Sequence, residues 1–369
     1  MNIKKLEISN FLNFNETEFN FSSGINLFIG ENNIGKTGII KFLYANTKAY
    51  EDYSKIKGTS KERSFKELLS VKLQNVFQSE KKIGTIVCNS QNDFLKSNLI
   101  FETNNIDKKI SFFFKKTTER EIQNLDFTEL EKNQELEISD VTNSAVFIPT
   151  KEILGIVNAI KIVNERFITD GFDDTYNDLV QNILPPTFLK NSNNVFNKII
   201  KNFKEKIIGG EIEYDQSKSK YFYTDNNGYK YDITMTAEGI KQMGLIPLLI
   251  KTGLIAKGTV LFLDEPDNNL NPKAIRRFAY ELFELANEGV QIFVSTHNHL
   301  FVQYISVLSE QKLLENKQMP ENKFFALFRD KNTKTSVEAE KDLLDIVNNL
   351  ILDEHIKLHD TEQELYDKI

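Results

Sequence analysis

Residues 30–37 constrain this chain more than any other stretch. They read Gly30-Glu31-Asn32-Asn33-Ile34-Gly35-Lys36-Thr37, a G-x-x-x-x-G-K-T loop. The apolar run Ile25-Asn26-Leu27-Phe28-Ile29 ahead of it has the character of a buried strand. Behind it, residues 38–48 place Ile39, Phe42 and Leu43 on one side of a predicted helix. A glycine loop between strand and helix is a phosphate cradle rather than a chance turn. Gly30 and Gly35 can take backbone angles that a Cβ would oppose. Successive N–H groups then face phosphate oxygens, and the helix N-terminus adds a favourable field. In that geometry Lys36 reaches the β- and γ-phosphates and the Thr37 hydroxyl sits on Mg²⁺. The candidate nucleotide-binding residues are Gly30, Asn32, Asn33, Ile34, Gly35, Lys36 and Thr37.

Two further apolar runs end in polar residues that suit the same chemistry. Thr259-Val260-Leu261-Phe262-Leu263-Asp264-Glu265-Pro266 is a strand ending in adjacent carboxylates. The first, Asp264, can face a bound Mg²⁺ together with Thr37. The second, Glu265, points elsewhere and can polarise a water in line with the γ-phosphate. Val290-Gln291-Ile292-Phe293-Val294-Ser295-Thr296-His297 is another core strand, ending in a histidine. His297 can bond the γ-phosphate or the attacking water. Glu265 and His297 are the candidate catalytic residues. The letters His297-Asn298-His299 lack the metal-binding context of an HNH nuclease.

Bulk properties exclude several classes. The chain has 369 residues, enough for a substantial core and two or three lobes. Lys plus Arg number 46 against 53 Asp plus Glu, for a net charge of −7. That balance argues against a surface coated in nucleic acid but allows a local basic groove. Cys88 is the single cysteine, so internal disulfides and a cysteine zinc site are excluded. Residues 1–7 lack the apolar core of a signal peptide. The longest apolar run, 245–256, is interrupted by Lys251, so no membrane span is expected. A cytoplasmic protein is the expectation.

Along the chain, residues 1–30 predict two or three strands. Residues 51–82 read as helical, while 85–88, 99–101 and 110–114 read as strands of an antiparallel layer. Residues 119–140 form an acidic insertion, and 145–148 a buried strand ending at Pro149. A helix is predicted over 153–167, a loop-rich stretch over 170–193 with Pro185-Pro186, and a lysine-studded helix over 195–208. Residues 221–223 and 230–233 flank Asp225-Asn226-Asn227-Gly228 as a hairpin. The last segment reads as a strand at 324–328 and a helix over 338–352.

The order of these motifs resembles the ABC-type ATPase head shared by SMC proteins, RecF and the OLD-type ATPases. The opening Leu6-Glu7-Ile8-Ser9-Asn10-Phe11-Leu12-Asn13-Phe14 carries part of the resemblance, with Leu12 where many relatives place a basic residue. Residues 263–272, through Asp267-Asn268-Asn269-Leu270-Asn271-Pro272, are similar to the group's second carboxylate motif and D-loop, and Ser295-Thr296-His297 to its switch histidine. The resemblance is firm over residues 1–50 and 230–300. It implies an α/β P-loop NTPase fold with an antiparallel β layer and an inserted helical lobe. It also implies ATP and Mg²⁺ as ligands. Residues 1–150 would form the first ATPase lobe, 151–235 a helical lobe and hairpin, 236–300 the remainder of the ATPase core, and 301–369 a short extension. The signature segment falls at 235–244, with Thr236 and Gly239 as candidate contacts to a partner's phosphates. Thr236 also reads as a helix N-cap, and Pro247 as a kink or interruption of that helix. The Q-loop position, 147–152, has no glutamine, leaving Thr150 or Glu152 in its place.

The resemblance further implies a homodimer with ATP sandwiched between one chain's loop and the other's signature. The stretch after His297 is too short for a toprim nuclease domain, which takes on the order of a hundred residues. His355 and His359 share a helical spacing but read as a solvated acidic helix end. The expectation is an ATP-driven sensor of a prokaryotic anti-phage system with a separate effector subunit. The alternative is a RecF-like DNA-binding repair module, with Lys198, Lys201, Lys204 and Lys206 touching phosphates. A transporter's ATPase subunit is a weaker third.

Overall fold

The computed structural model describes residues 1–57, 59–60, 63–79, 82–88, 94–132, 144–166, 171–184, 194–314, 320–330 and 334–366. Pro185-Pro186 and the acidic residues 133–140 lie outside the described residues.

The strands are β1 (Asn2–Phe11), β2 (Phe14–Asn20), β3 (Ile25–Gly30), β4 (Phe94–Thr103), β5 (Ile106–Lys115), β6 (Gln123–Lys132) and β7 (Ala145–Ile148). They continue with β8 (Gly210–Asp215), β9 (Lys220–Asp225), β10 (Lys230–Asp232), β11 (Val260–Asp264), β12 (Gln291–Ser295), β13 (Lys323–Arg329) and β14 (Thr335–Glu340). The helices are α1 (Lys36–Ile56), α2 (Phe65–Val76), α3 (Val157–Arg166), α4 (Asp174–Ile183), α5 (Asn194–Asn202), α6 (Glu238–Lys251), α7 (Pro272–Asn287), α8 (His299–Leu314) and α9 (Leu350–Tyr366).

One 11-stranded sheet runs β6-β5-β4-β1-β2-β14-β13-β3-β12-β11-β7, and β8, β9 and β10 form a separate three-stranded sheet. The pairs β13–β3, β3–β12, β12–β11 and β11–β7 are parallel. From β2 to β6 every pair is antiparallel. A single parallel pair, Thr335 with Phe14, joins the two halves.

Strand alternation sorts the apolar residues onto two faces. Leu27, Ile29, Leu261, Leu263, Ile292, Val294 and Phe324 enter the core shared with α6 and α7. Phe28, Phe147, Val260, Phe262, Phe293 and Phe325 enter the other, with α1 and α2. On that second face a row of phenylalanines crosses five strands. Phe147 stacks on Phe262 at 6.2 Å, Phe262 on Phe293 at 5.1 Å, Phe293 on Phe28 at 6.5 Å, and Phe28 on Phe325 at 4.9 Å. Each such pair contributes roughly 0.5–1.5 kcal/mol beyond burial, so the ladder fixes the register of the parallel half.

The structure corrects several expectations. Residues 301–369 do not form an extension, because β13 and β14 stand in the middle of the sheet. Residues 335–340 are a strand where a helix over 338–352 was expected, and α9 starts only at Leu350. Residues 83–86 form a 3₁₀ turn, and the expected strand 85–88 is reduced to one antiparallel bridge, Val87 with Phe11. The expected loop 170–193 contains α4, capped by Asp173, whose side chain accepts from Thr175 N–H. The predicted helix over 51–82 is the end of α1 and the separate α2, which Ser64 caps. Of the expected insertion 119–140, residues 123–132 are the sheet-edge strand β6. Pro247 lies inside α6, which continues to Lys251 without interruption.

Candidate nucleotide-binding site

The glycine loop takes the shape its residue types allow. Gly30 has φ +142 and Gly35 φ +109. A Cβ on Gly30 would stand 2.3 Å from the Leu327 carbonyl oxygen, and one on Gly35 2.7 Å from the Phe14 ring. Gly35 is the N-cap of α1, so the free N–H groups of that helix open onto the loop. Above it lies a cleft of about 600 Å³ lined by Asn32, Asn33, Ile34, Gly35, Lys36 and Thr37, with Glu265 at one side. The rest of the lining is Leu12, Asn13, Gly38, Thr85, Val87, Cys88 and Lys334.

Lys36 is 6% exposed. Its ammonium donates to the Gly30 carbonyl at 2.8 Å and the Glu31 carbonyl at 2.9 Å. Burial lowers its pKa, opposed by the charges of Glu265, Asp264 and Glu31. A desolvated lysine held only by its own loop is a ready partner for phosphate oxygens.

Asp264 ends β11 and receives three hydroxyls. Thr37 Oγ1 donates to Oδ1 at 2.7 Å, Ser295 Oγ to Oδ1 at 2.5 Å, and Thr150 Oγ1 to Oδ2 at 2.7 Å. The register pairs Asp264 with Ser295 across β11 and β12, which puts both side chains at the loop. A hydroxyl and a carboxylate are the hard oxygen donors that Mg²⁺ prefers, so Thr37 and Asp264 fit that ion.

Glu265 has φ +51, a left-handed backbone that costs a side-chain-bearing residue about 1–2 kcal/mol. The turn re-aims its carboxylate away from that of Asp264. Glu265 Oε2 lies 2.5 Å from His297 Nδ1, and its side chain is 13% exposed against 50% for His297. Burial raises the Glu265 pKa, opposed by His297 and Lys36. A carboxylate with raised basicity beside an imidazole can accept a proton from a water held at the cleft mouth. The loop, Asp264, Glu265 and His297, spread over three regions of sequence, thus meet at one place.

The signature residues do not join them. Thr236 and Gly239 are absent from the cleft lining. Thr236 does not cap α6: Ala237 occupies that position and the Thr236 hydroxyl is buried without a partner. Gly239 packs on the D-loop, where a Cβ would stand 2.6 Å from the Asn269 carbonyl oxygen. Glu238 is drawn to Lys241 at 2.8 Å, and Lys241 also bonds Glu152 at 2.9 Å. Glu152 is therefore engaged elsewhere, and Thr150 is the residue of the 147–152 segment that reaches the carboxylate strand. Leu12, with φ +47, lies over Gly38, where a Cβ would approach its Cδ1 to 2.6 Å.

Sequence reasoning missed Ser295 and Lys334 as site residues. Ser295 was legible as the last inward residue of an apolar strand; nothing local marks Lys334.

Residues 25–303 match a family described as "AAA domain, putative AbiEii toxin, Type IV TA system". The chain belongs to this AAA-domain family. It is 21% identical over 385 residues to an ATP/GTP phosphatase of Helicobacter pylori, covering 89% of this chain and 93% of that protein. A shorter match is to the DNA replication and repair protein RecF of Streptococcus gordonii, 33% identical over 87 residues, 23% of this chain and 22% of that protein. Among solved structures, an Smc head bound to the C-terminal domain of ScpA, derived from Pyrococcus furiosus, aligns with TM-score 0.52 and 12% identity over 98% of this chain and 99% of that one. A second Smc head, bound to the C-winged helix domain of ScpA, aligns with TM-score 0.50 and 13% identity over 92% and 98%. The fold of this AAA-domain chain is that of these Smc head domains, an α/β P-loop ATPase fold. Among the described residues no helix is long and apolar enough to cross a membrane, and no three His, Cys, Asp or Glu cluster as metal ligands. His355 instead stacks on His299 at 3.9 Å.

Proposed function

We propose that this chain hydrolyses ATP to ADP and phosphate between two copies of itself, and that the cycle makes it the cytoplasmic sensor or regulatory subunit of a prokaryotic anti-phage complex with a separate effector. The observation that carries the ATPase reading is the convergence of Thr37, Asp264, Glu265 and His297 around the Lys36 loop. In this reading Lys36 leaves the Gly30 and Glu31 carbonyls to hold the β- and γ-phosphates. Thr37 and Asp264 hold Mg²⁺, which when bound neutralises charge on the phosphates. Glu265 takes the proton of the attacking water, and His297 orients it.

The paired arrangement is supported by the place of the signature segment. Gly239 packs on the D-loop, outside the cleft lining, and in this reading a second copy brings its segment to the phosphates. ATP then acts as interfacial glue, and its hydrolysis frees the copies. Lys36→Ala tests the site: ATP binding should weaken at least about a hundredfold while the fold persists. Retained affinity would refute the loop's role.

The defence role is supported by the family's toxin–antitoxin description. Its test is co-purification with the product of a neighbouring gene, and loss of phage protection in the Lys36→Ala strain. Protection that survives that substitution would refute an ATP-driven role.

A RecF-like DNA clamp is the second reading, favoured by the local match to RecF. Its proposed lysines are partly committed, Lys204 to Glu211 and Lys201 to Glu205. ATP-stimulated, salt-dependent binding of duplex DNA by the pure chain would select this reading over the first.

A further inference from the structure

The cleft lining carries a cation that neither the motifs nor the fold account for. Lys334 immediately precedes β14, in the segment that was expected to lie outside the ATPase core. Its backbone is fixed: Lys334 N–H donates to Asp330 Oδ1 at 2.9 Å, and Asp330 N–H donates to the Lys334 carbonyl at 2.8 Å. The next residue ties it to the phosphate loop. Thr335, 4% exposed, donates through Oγ1 to the Ile34 carbonyl at 2.9 Å and through N–H to the Asn13 carbonyl at 3.1 Å. The start of β14 is therefore a built part of the loop's support, and it delivers Lys334 into the cleft.

The charged residues lining that cleft are Lys36, Glu265 and Lys334. The Lys334 ammonium lies 3.1 Å from Cys88 Sγ. A thiol is a weak acceptor, and an ammonium has three donors. The contact leaves Lys334 with most of its hydrogen-bonding capacity unspent, facing the space into which the loop's own N–H groups open.

We propose that Lys334 is a second cationic contact to the nucleotide, its ammonium turning from the Cys88 thiol to an oxygen of the phosphate chain. This rests on the reading of the cleft as the ATP site and extends it to a lining residue outside the motifs. A donor-only, mobile cation is suited to an anion whose position is already set by the backbone cradle.

The test is nucleotide titration of the full chain by calorimetry, with ATP and ADP, for the unaltered protein, Lys334→Gln and Lys334→Arg. Lys334→Gln should raise the dissociation constant for both nucleotides at least about tenfold, and Lys334→Arg should stay within about threefold of the unaltered chain. Retained Arg binding shows that the position tolerates substitution and that the loss with Gln is one of charge. Equal affinity in the Gln variant would overturn the assignment while leaving the ATP site intact. An unaltered chain that binds neither nucleotide would overturn the site reading and this proposal together.

Discussion

Thr37 and Asp264 lie 227 residues apart and share a hydrogen bond of 2.7 Å. The same carboxylate takes hydroxyls from Thr150, behind β7, and Ser295, at the end of β12. Three segments are thus pinned to one buried carboxyl group, 6% exposed, at the foot of the phosphate loop. In the proposed reading Thr37 and Asp264 would hold Mg²⁺ in place of their mutual bond, with Thr150 and Ser295 keeping the carboxylate oriented.

Asp264→Asn should keep the shape and remove the charge. We expect Mg²⁺-dependent phosphate release to fall at least about a hundredfold, with nucleotide affinity in EDTA little changed. Phosphate release across a Mg²⁺ titration checks this. An unchanged Mg²⁺ optimum with full activity would remove Asp264 from the metal site.

The helical side of the core hangs on a buried charge cluster. Lys72 of α2 bonds Asp174 at 2.8 Å and Asp178 at 3.0 Å, both on α4. Tyr44 of α1 donates to Asp178 at 2.5 Å. Burial pushes the Asp178 carboxyl up and Lys72 pulls it back down. Lys72→Met would remove the cation that bonds both carboxylates, leaving Asp178 to Tyr44 and Asp174 to Asn75, and should cost about 3–5 kcal/mol. Urea unfolding measures it. A loss under about 1 kcal/mol would mean that the cluster is hydrated and energetically idle.

Glu281 of α7 supplies a pH dependence. It is 3% exposed. Burial, with Glu284 adding to it, raises its pKa from 4.5 to about 7, against Lys206 and Lys198. The folded state therefore holds the proton more tightly than the unfolded state does. The associated stability is fully present below about pH 4.5 and is lost as pH rises through about 7. Glu281→Gln removes the titration. The variant should gain between about 1 and 3 kcal/mol over the unaltered chain at pH 8 and almost nothing at pH 4. Melting temperatures across that range check it. A constant offset at all pH values would mean that the effect is packing and not charge.

The motifs were legible because local chemistry dictates them. A phosphate cradle needs Gly30, Gly35, Lys36 and Thr37 at fixed spacing, and an apolar strand ending in Asp264 and Glu265 has few uses besides this one. What escaped was set by distant partners. Thr150 acts on Asp264 only because β7 pairs with β11. Residues 335–340 alternate weakly and carry two glutamates, so they read as helix until the β13 hairpin and the Thr335 bonds impose a strand. Residues 85–88 look β-like in composition, but the turn is bent by Gly84, where a Cβ would stand 2.1 Å from the Lys116 carbonyl oxygen. Lys334 is one lysine among many, and only the topology brings it to the cleft. Thr236 kept its place ahead of α6 but not its capping bond.

The most direct test of the ATPase cycle is Glu265→Gln, which keeps the side chain's shape but removes the base. With ATP and Mg²⁺, phosphate release should fall by about 10²–10⁴ while ATP affinity is preserved. The stalled protein should then run at twice the chain's 42.7 kDa in light scattering and return to one copy when ATP is removed. Normal turnover by the variant, or a single-copy mass with ATP bound, would contradict the account.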